Sequence, residues 1–439
     1  MQHRRIVITG LGVVSPNALG VSAYTAALRD GVSGIRVIAE FDTSMLKTHA
    51  AAIVAGFNPS DHMDERDIRR VPRMVPFALA AAREALVMAA LPFAELGATG
   101  EGRHLELSRR TGIALGTGGG GLHFVETNYR KYFQNLGGYS PFTITAGTHG
   151  NLSSELSIAL GLRGASHVIS TGCTSSTDAL GYALLHLRAG THDIFLAGGA
   201  DSPITEGILK GFELMRILAA TTDPPGRMSR PFSLDRDGFV LGEGAWMFVL
   251  EERDHALARG ATILAELLGH ASTCDAFHRV QPAPDATESV RAIQLALADA
   301  GVTTDDIDYV NLHGTSTQMN DALETLAMHK VFGPRAPSVP MSTTKSMIGH
   351  PQGACGAAGL AAGILSIRAG FLHPTINLEK PDPACDLDYI PNAARPVDAR
   401  RQHTILCNCI AFGSKNSAMV VRTAAQVPSR RAAESALIS

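Results

Sequence analysis

Short apolar runs alternate along the chain with longer stretches in which apolar residues recur at helical spacing. The short runs predict strands, and the stretches between them predict helices. In the first part of the chain the predicted strands are 5–9, 112–116, 167–170, 194–198 and 245–250, and the helices include 76–90 and 178–189. In the second part the predicted strands are 262–268, 307–312, 338–342, 404–409 and 417–422, and the helices are 286–300, 320–331 and 353–369. This alternation predicts an α/β fold built from two units in tandem.

A polar break separates the two predicted units. Residues 251–254 and 259–260 interrupt the apolar pattern, so we place the first unit at 1–255 and the second at 256–422. The last stretch, 423–439, is rich in Ala, Ser and Arg and is expected to be a disordered tail. The two units share no convincing sequence repeat, so their residues alone do not show that one is a copy of the other.

The composition fits a tightly packed protein and excludes one class of partner. The chain has 439 residues, of which 45% are hydrophobic and only 18% are charged, and it contains 44 glycines. Such a chain can bury a large core, and its glycines allow close approach between backbones. The formal net charge of −3 gives no electrostatic basis for binding nucleic acid, because that requires a dominant basic surface.

The cysteines indicate a reducing compartment. The six cysteines lack the spacing of a disulfide framework, and residues 1–9 run into a strand rather than through a secretory signal, so we expect a cytoplasmic protein. The longest apolar stretch, 353–370, is rich in Ala and Gly and predicts a buried helix, so we expect no membrane span. Cys407 and Cys409 form a Cys-x-Cys pair, but no second ligand pair stands at zinc-site spacing, and we expect no metal.

The most informative segment is 171–176, Thr-Gly-Cys-Thr-Ser-Ser. Cys173 in this segment follows the predicted strand at 167–170 and precedes the predicted helix at 178–189. A cysteine at such a turn faces the helix N-terminus, where free N–H groups and the helix dipole stabilise a thiolate and can bind an oxyanion. The alternative is a small buried hydrophobe, which is the usual role of a free cysteine. The setting favours a covalent nucleophile.

Two later segments add histidines and a lysine. His313 lies in His-Gly-Thr-Ser-Thr after the predicted strand at 307–312. Lys345 and His350 lie in Lys-Ser-Met-Ile-Gly-His after the predicted strand at 338–342. One cysteine with two histidines indicates carbon–carbon condensation on thioesters rather than hydrolysis, which needs a single base histidine. Ordinary core or surface positions for these side chains are the alternative.

In this order, the motifs resemble those of elongating 3-oxoacyl-acyl carrier protein synthases (beta-ketoacyl synthase II-like), the ketosynthases of type II fatty-acid and polyketide systems. The resemblance runs from about residue 4 to 422. It includes four further motifs: Gly-Leu-Gly at 10–12, Ser-Arg-Pro-Phe at 229–232, Asp-Gly-Phe-Val-Leu-Gly-Glu-Gly at 237–244 and Asn-Asp at 320–321. The resemblance implies a thiolase-like fold, with two similar halves stacked as α-β-α-β-α layers.

The resemblance also implies a role for each candidate residue. Cys173 would accept an acyl group, and the backbone N–H groups of Cys173 and Phe412 would bind the oxyanion. His313 and His350 would stabilise the enolate that forms when a malonyl thioester loses carbon dioxide, and Lys345 would organise the site electrostatically. The implied reaction is decarboxylative Claisen condensation to a 3-oxoacyl carrier protein, with no metal or organic cofactor.

Two positions depart from the family pattern. Gly359 stands nine residues after His350, where elongating synthases usually carry a glutamate, and the segment 350–359 instead looks like that of modular polyketide ketosynthases. The loop Ile410–Asn416 contains Ala-Phe-Gly-Ser-Lys-Asn where the family usually has Gly-Phe-Gly-Gly-Thr-Asn. Phe412, the expected gate residue, is retained, whereas the supporting role of the glutamate is absent or filled elsewhere.

Arginines near the start of the chain are candidates for carrier docking. Four of them share helical spacing and predict one face of a helix: Arg66, Arg69, Arg70 and Arg73. Such a face is usually only solvated, but acyl carrier proteins present an acidic helix to similar synthases. The resemblance therefore implies a carrier-binding set made of Arg66, Arg69, Arg70 and Arg216.

Gly119 is the candidate wall of an acyl pocket. Similar elongating synthases often bear a bulky apolar residue at this position, so a glycine predicts a longer or wider pocket. The alternative is that the glycines at 118–121 only allow a tight turn. The segment 116–121 lacks a Gly-Lys-Ser/Thr ending, so it is not a phosphate-binding loop.

The resemblance implies an acyl carrier protein, in acyl and malonyl forms, as partner. It also implies a dimer, either of identical chains or with a cysteine-less chain-length-factor homologue. The residues around Cys173 and at 382–389 favour type II polyketide or specialised fatty-acid biosynthesis, polyenes included, and the alternative is housekeeping fatty-acid elongation. Cys173 disfavours a non-catalytic chain-length partner, and the two histidine motifs disfavour a thiolase. A nicotinamide oxidoreductase would need a third glycine that the segment 10–15 lacks.

Overall fold

The computed structural model describes residues 4–94, 103–220 and 223–426. In this part of the chain the strands are β1 (Ile6–Ser15), β2 (Ala18–Leu19), β3 (Ile35–Val37), β4 (Ala50–Ala52), β5 (Thr111–Gly116), β6 (Ser166–Ile169), β7 (Ile194–Asp201), β8 (Gly244–Glu252), β9 (Ala265–Cys274), β10 (Tyr309–Asn311), β11 (Met341–Ser342), β12 (Phe371–Leu372), β13 (Arg395–Pro396), β14 (Thr404–Ala411) and β15 (Lys415–Thr423). The α-helices are α1 (Val21–Asp30), α2 (Glu65–Ile68), α3 (Met74–Met88), α4 (Arg103–Arg109), α5 (Leu122–Phe133), α6 (Thr143–Gly147), α7 (Asn151–Leu160), α8 (Ser175–Arg188), α9 (Glu206–Leu214), α10 (Arg253–Ala258), α11 (Thr287–Ala300), α12 (Gln318–Phe332), α13 (Lys345–Ile348) and α14 (Cys355–Arg368). Every strand and helix predicted from the apolar pattern is found, with shifted ends.

One sheet runs through the described residues in the order β11-β10-β14-β15-β9-β1-β8-β7-β5-β6, with β2 paired to the end of β1. When the strands on this path are ranked along the chain within each predicted unit, both units have the order 3-2-4-5-1. In both, the strand ranked fifth is antiparallel to its neighbours. The two sets join where β1 pairs with β9, with Ile8 opposite Ala265. The fold therefore repeats a topology that the sequence does not visibly repeat.

The connection between the two sets is short. β8 ends at Glu252, α10 follows, and β9 begins at Ala265. We propose that this connection divides the chain into the units 1–255 and 256–422, because the repeated strand order begins anew at β9.

The predicted tail begins too early. The backbone N–H of Ala424 donates to the carbonyl of Leu264, and that of Gln426 donates to the carbonyl of Ala399. Hydrogen bonds to two ordered loops thus hold residues that were expected to be disordered. The remainder of the predicted tail, 427–439, lies outside the described residues.

Two helices form the central layer. Helix α14 packs against α8, and both lie between the two parts of the sheet, because α8 contacts β5 and β7 as well as β9 and β15. Helices α3 and α7 cover the outer face of the first part, and α11 and α12 lie on the second. Residues 355–367 of α14 are all buried, as expected for a helix that is apolar on every side. This confirms the predicted buried helix, and within the described residues no helix is long and apolar enough to cross a membrane.

Gly10 and Gly12 serve packing rather than a nucleotide loop. They lie inside β1, which continues to Ser15 and was predicted to end at residue 9. A Cβ on Gly10 would lie 2.0 Å from the carbonyl oxygen of Ala85, and one on Gly12 would lie 1.8 Å from that of Ala81. Only glycine lets α3 approach the strand so closely.

A buried carboxylate connects the two units beside the nucleophile. Asp201, at the end of β7, accepts hydrogen bonds from the backbone N–H groups of Gly118 at 2.6 Å and Gly119 at 3.0 Å, and from that of Gly353 at 2.8 Å. The Thr117 hydroxyl donates to it at 2.9 Å. Burial raises the pKa of Asp201 to about 6, although these donors oppose the shift. The glycine-rich loop of the first unit and the loop before α14 are thereby held by one side chain.

Asp201→Asn should destabilise the fold, because an amide offers one acceptor oxygen where the carboxylate offers two. Whichever way the amide is oriented, two buried donors lose their acceptor. Each loss lowers the free energy of unfolding by about 1–3 kcal/mol, giving about 2–6 kcal/mol in total. Urea unfolding measures the change. The exposed Asp305→Asn is the control and should shift the free energy of unfolding by less than about 0.5 kcal/mol. Equal, small shifts in both variants would refute the proposed connection.

Candidate active site

Cys173 lies at the turn that the sequence predicted. Strand β6 leads into a short 3-10 helix, Gly172–Thr174, and α8 begins at the next residue. Gly172 has a φ of 72°, a left-handed conformation that glycine adopts without strain, and this turns the chain sharply before the cysteine. Cys173 is buried, with only 2% of its surface exposed.

The surroundings of Cys173 favour the thiol over the thiolate. Burial raises its pKa, the neighbouring Cys355 raises it further, and Lys345 and the backbone N–H of Phe412 lower it. Burial wins because transferring a thiolate out of water costs more than these contacts return. Stabilisation of a thiolate by the helix N-terminus stays a prediction, since burial opposes the N–H of Phe412, which points at the sulfur.

His350 presents an N–H group to the nucleophile. Its Nε2 lies 3.1 Å from the Cys173 sulfur. Its Nδ1 accepts the backbone N–H of Gln352 at 3.2 Å, so Nδ1 carries no proton and Nε2 carries it. Burial, reinforced by the charge of Lys345, lowers the pKa of His350 well below the ordinary value, so the ring is neutral. His350 is thus placed as a donor rather than as a resting base.

His313 has the same arrangement. Its Nδ1 faces the Lys345 ammonium at 3.4 Å, which leaves the proton on Nε2. Burial, then Lys345 and His350, lower the pKa of His313 well below the ordinary value. The rings of His313 and His350 are 5.5 Å apart and nearly perpendicular. Two neutral imidazole N–H groups therefore lie beside the cysteine, an arrangement suited to stabilising an oxyanion or an enolate.

Lys345 is the buried cation of the site. Its ammonium also donates to the carbonyl oxygen of His313 at 2.6 Å. Burial alone would lower its pKa, but the negative charge that Cys355, Cys409 and Glu324 carry when ionised outweighs burial and raises it. Lys345 therefore stays charged and fixes both the position and the tautomer of His313.

Sequence reasoning missed Glu324. Its carboxylate accepts the backbone N–H groups of His313 and Gly314, both at 2.7 Å, and the side-chain amide of Asn408 at 2.6 Å. Burial raises its pKa to about 7. The available signal was its spacing, since Asp321 and Glu324 lie three residues apart on the helix that follows the His313 motif, so both carboxylates face the same loop.

The glutamate absent at position 359 has no room in this chain. A Cβ on Gly359 would lie 2.1 Å from the side-chain nitrogen of Asn311, which fills that space. Asn311 is buried, and its Nδ2 faces the Cys407 sulfur at 3.9 Å. A polar but uncharged side chain therefore stands where the family pattern places a carboxylate.

Phe412 and Cys173 line the same cavity. The cavity has a volume of about 460 Å³, and its lining also includes His313, His350 and Arg216. The next part of the loop is tethered, because the Ser414 hydroxyl donates to the His278 carbonyl oxygen at 2.9 Å. Ser414 has a φ of 63°, a conformation that favours the glycine usually found there.

The other predicted site residues lie apart from this group. Gly119 donates to Asp201, and the residues lining the cavity within the described chain do not include it. The predicted arginine face does not form, because α2 ends at Ile68. Arg66, Arg69 and Arg70 are exposed around a groove that includes Phe142. Arg73 is instead paired with Glu243 at 3.0 Å.

Comparison with known proteins agrees with this geometry. Residues 3–256 match the family described as beta-ketoacyl synthase, N-terminal domain, and residues 264–379 match its C-terminal domain. The chain is 39% identical over 422 residues to 3-oxoacyl-acyl-carrier-protein synthase 2 of Coxiella burnetii, which covers 96% of this chain and 99% of that protein.

Two solved structures show the same fold. The ishigamide ketosynthase/chain length factor matches with a TM-score of 0.87 and 36% identity, over 96% of this chain and 100% of that one. A ketosynthase in complex with its type II polyketide-synthase acyl carrier protein, and bound to the hexaketide, matches with a TM-score of 0.85 and 32% identity over the same shares. The fold is thiolase-like, as predicted, and the chain belongs to the beta-ketoacyl synthase family of condensing acyltransferases.

Proposed function

We propose that the protein joins an acyl group on Cys173 to malonyl carrier protein by decarboxylative Claisen condensation and releases a 3-oxoacyl carrier protein. The observation that carries the proposal is the pair of neutral imidazoles, both with Nε2 protonated, beside a cysteine at a helix N-terminus. A hydrolase would need one of these rings as a base, which requires a free Nε2 lone pair.

In the first step Cys173 exchanges thioesters with an acyl carrier. Its sulfur attacks the acyl carbonyl, the oxyanion is bound by the backbone N–H groups of Cys173 and Phe412, and the carrier thiol leaves. The proton of the Cys173 thiol passes to the leaving thiol, so the step is balanced without a permanent base.

In the second step malonyl carrier protein enters the same cavity and loses carbon dioxide. The electron pair of the broken bond forms an enolate, whose oxygen accepts N–H bonds from His313 and His350. The enolate carbon then attacks the acyl group on Cys173, the sulfur leaves as a thiolate, and a proton from solvent water returns it to the thiol. Lys345 takes no part in bonding and acts by holding His313. These steps call for no metal or organic cofactor.

We propose a carrier protein and a second ketosynthase-like chain as partners. The similar solved proteins are a ketosynthase/chain length factor and a ketosynthase bound to its carrier protein. A dimer, of identical chains or with a chain-length-factor homologue, is also supported by the surface. Strand β6 is exposed at the end of the sheet, and Tyr132 and Phe133 on α5 are 62% and 74% exposed.

We propose a pathway in type II polyketide or specialised fatty-acid biosynthesis. The likeness to the ishigamide protein and the replacement of the usual glutamate by Gly359 support it. Housekeeping fatty-acid elongation is the second candidate, favoured by the 39% identity to a 3-oxoacyl-acyl-carrier-protein synthase 2.

All six cysteines are free thiols, which supports a cytoplasmic location.

The two half-reactions should separate by mutation. Cys173→Ala should lose acyl loading, whereas His313→Ala should still load Cys173 but release carbon dioxide from malonyl carrier protein about 10²–10³ times more slowly, because one enolate donor is gone. Intact-protein mass spectrometry measures loading, and carbon dioxide release measures the second step. His329→Ala, at a histidine outside the cavity lining, is the control. Normal decarboxylation by His313→Ala would disprove its role.

Carrier docking should be electrostatic. Arg66→Glu with Arg69→Glu should raise KM for carrier-bound substrate and leave small thioester mimics unaffected, since exposed charges mainly control encounter. Added salt should weaken the wild-type protein in the same way. Arg109→Glu with Arg400→Glu makes an equal charge change at two other exposed arginines and should leave KM unchanged. A similar loss with both kinds of substrate would count against docking at this surface, and Arg70 and Arg216 would then lose their support as well.

Gly119 should limit chain length if its position forms the end of the acyl pocket. A Cβ there would lie 3.3 Å from Asp201 and 3.6 Å from Pro203, so Gly119→Phe must displace these neighbours. We expect the variant to load short acyl chains and refuse long ones, since each excluded methylene forfeits about 0.8 kcal/mol of burial. Acylation rates against chain length test this, with Gly150→Phe, which adds the same ring in open space, as control. Parallel profiles would eliminate Gly119 as a length determinant.

A further inference from the structure

Two thiols that the proposed reaction does not use lie beneath the nucleophile. Cys355 begins α14 and Cys409 lies in β14, and both are buried, with 3% and 1% of their surfaces exposed. Their sulfurs are 3.6 Å apart. The fold brings them together from two separate elements, because the cysteine turn packs on β14 and α14 at the same point.

Two further donor atoms complete a cage around this pair. The Nδ1 of His313 lies 3.6 Å from the Cys409 sulfur. The carbonyl oxygen of Cys173 lies 3.2 Å from the Cys355 sulfur and 3.1 Å from the Cys409 sulfur. The two sulfurs and Nδ1 all lie within 4.8 Å of one another. Two sulfurs, one imidazole nitrogen and one carbonyl oxygen thus face a common centre.

The Cys355–Cys409 and Cys409–His313 separations fit a tetrahedral d10 cation, whereas the Cys173 carbonyl oxygen lies closer to the sulfurs than a tetrahedral edge and must move outward on binding. With metal–sulfur bonds of about 2.3 Å and metal–nitrogen bonds of about 2.0–2.1 Å, the edges of a tetrahedral site are about 3.5–3.8 Å long. The measured sulfur–sulfur and sulfur–nitrogen distances fall in that range. Thiolate and imidazole ligands in this geometry select zinc and similar soft cations.

We propose that Cys355, Cys409 and His313, with the Cys173 carbonyl as fourth donor, bind a thiophilic divalent cation such as Zn²⁺ or Cd²⁺, and that the cation inhibits the enzyme. Two thiol protons leave as the cation enters, so the net buried charge is unchanged beside Lys345. Ligation takes the Nδ1 lone pair that faces the Lys345 ammonium. The ring keeps its Nε2–H, but the cation replaces Lys345 at Nδ1 and turns the ring towards the two thiolates, away from the position in which Nε2–H would meet the enolate.

The site differs from the catalytic group, although they share one histidine. Cys173, His313 and His350 also have ligand atoms within 4.8 Å of one another, and a cation bound there would use the Cys173 sulfur. The proposed cage uses only the backbone carbonyl of Cys173, which an alanine retains. Binding to a Cys173→Ala protein therefore distinguishes the two sites and does not rest on the proposed reaction.

The test is a Cd²⁺ titration of the full chain carrying Cys173→Ala and Cys274→Ser, which remove the nucleophile and the exposed thiol. We expect one ion per chain, an ultraviolet thiolate-to-metal band and two protons released per ion. The band should vanish in Cys355→Ser with Cys409→Ser, and His313→Ala should weaken binding by more than about tenfold. Cys407→Ala is the matched control, because it removes a buried thiol from the same strand and should leave the band intact.

Three results would overturn the proposal: no stoichiometric binding, a band that survives Cys355→Ser with Cys409→Ser, or a band that disappears with Cys407→Ala. Thermal melting and circular dichroism check that each variant is folded, and Cys355→Ala provides a second route if the serine variant is not. A second experiment, with active enzyme, rests on the proposed function. With Cys173 intact, Cd²⁺ should slow malonyl decarboxylation more than acyl loading, and equal slowing would show that the ion acts at Cys173 itself.

Discussion

The catalytic loops of this protein are irregular and buried, so their backbone N–H groups need acceptors that no strand or helix supplies. Buried carboxylates meet that need, because each has two oxygens that can accept from successive residues. Glu324 holds the turn at His313, and Asp201 holds the glycine-rich loop and the loop before α14. Asp321 does the same for Ser316 and for Phe232. The positions of these loops follow from one to three such hydrogen bonds each rather than from regular secondary structure.

This means of support also sets the charge state of the site. With the negative groups committed to backbone donors, none of them sits against the imidazole rings to stabilise a positive charge there. Lys345 is the cation that faces His313, and burial adds to its effect, so both histidines remain neutral. Their Nδ1 atoms are taken up by Lys345 and by the backbone of Gln352, which places both protons on Nε2. Position, charge and tautomer are thus determined by the same few contacts.

Much of the fold and of the candidate site could be predicted from the sequence, and the rest depends on packing. The strand and helix pattern, the turn at Cys173 and the three motif residues around it follow from local signals that survive in a single chain. The protonation state of Cys173 could not be predicted in this way, because it depends on complete burial by segments that are distant in the chain. Neither could the role of Gly10 and Gly12, since a glycine pair in a strand can signal a nucleotide loop or a close helix, and only α3 decides between them. The repeated topology is visible in the strand order but not in the residues, because different side chains can form the same arrangement of strands.

The buried thiol of Cys173 is compatible with rapid loading, even though burial favours its protonated form. Thioester exchange breaks one carbon–sulfur bond and makes another of the same kind. Negative charge on sulfur is therefore needed only during the exchange, first on Cys173 as it attacks and then on the carrier sulfur as it departs. Donors that stabilise negative charge on sulfur and on the nearby oxyanion, such as the N–H of Phe412 and Nε2–H of His350, act at that moment. In the proposed reaction, the same donors face an uncharged thioester once Cys173 is acylated, and His350 is free to bind the enolate. A neutral thiol at Cys173 would therefore let one histidine contribute to both proposed steps.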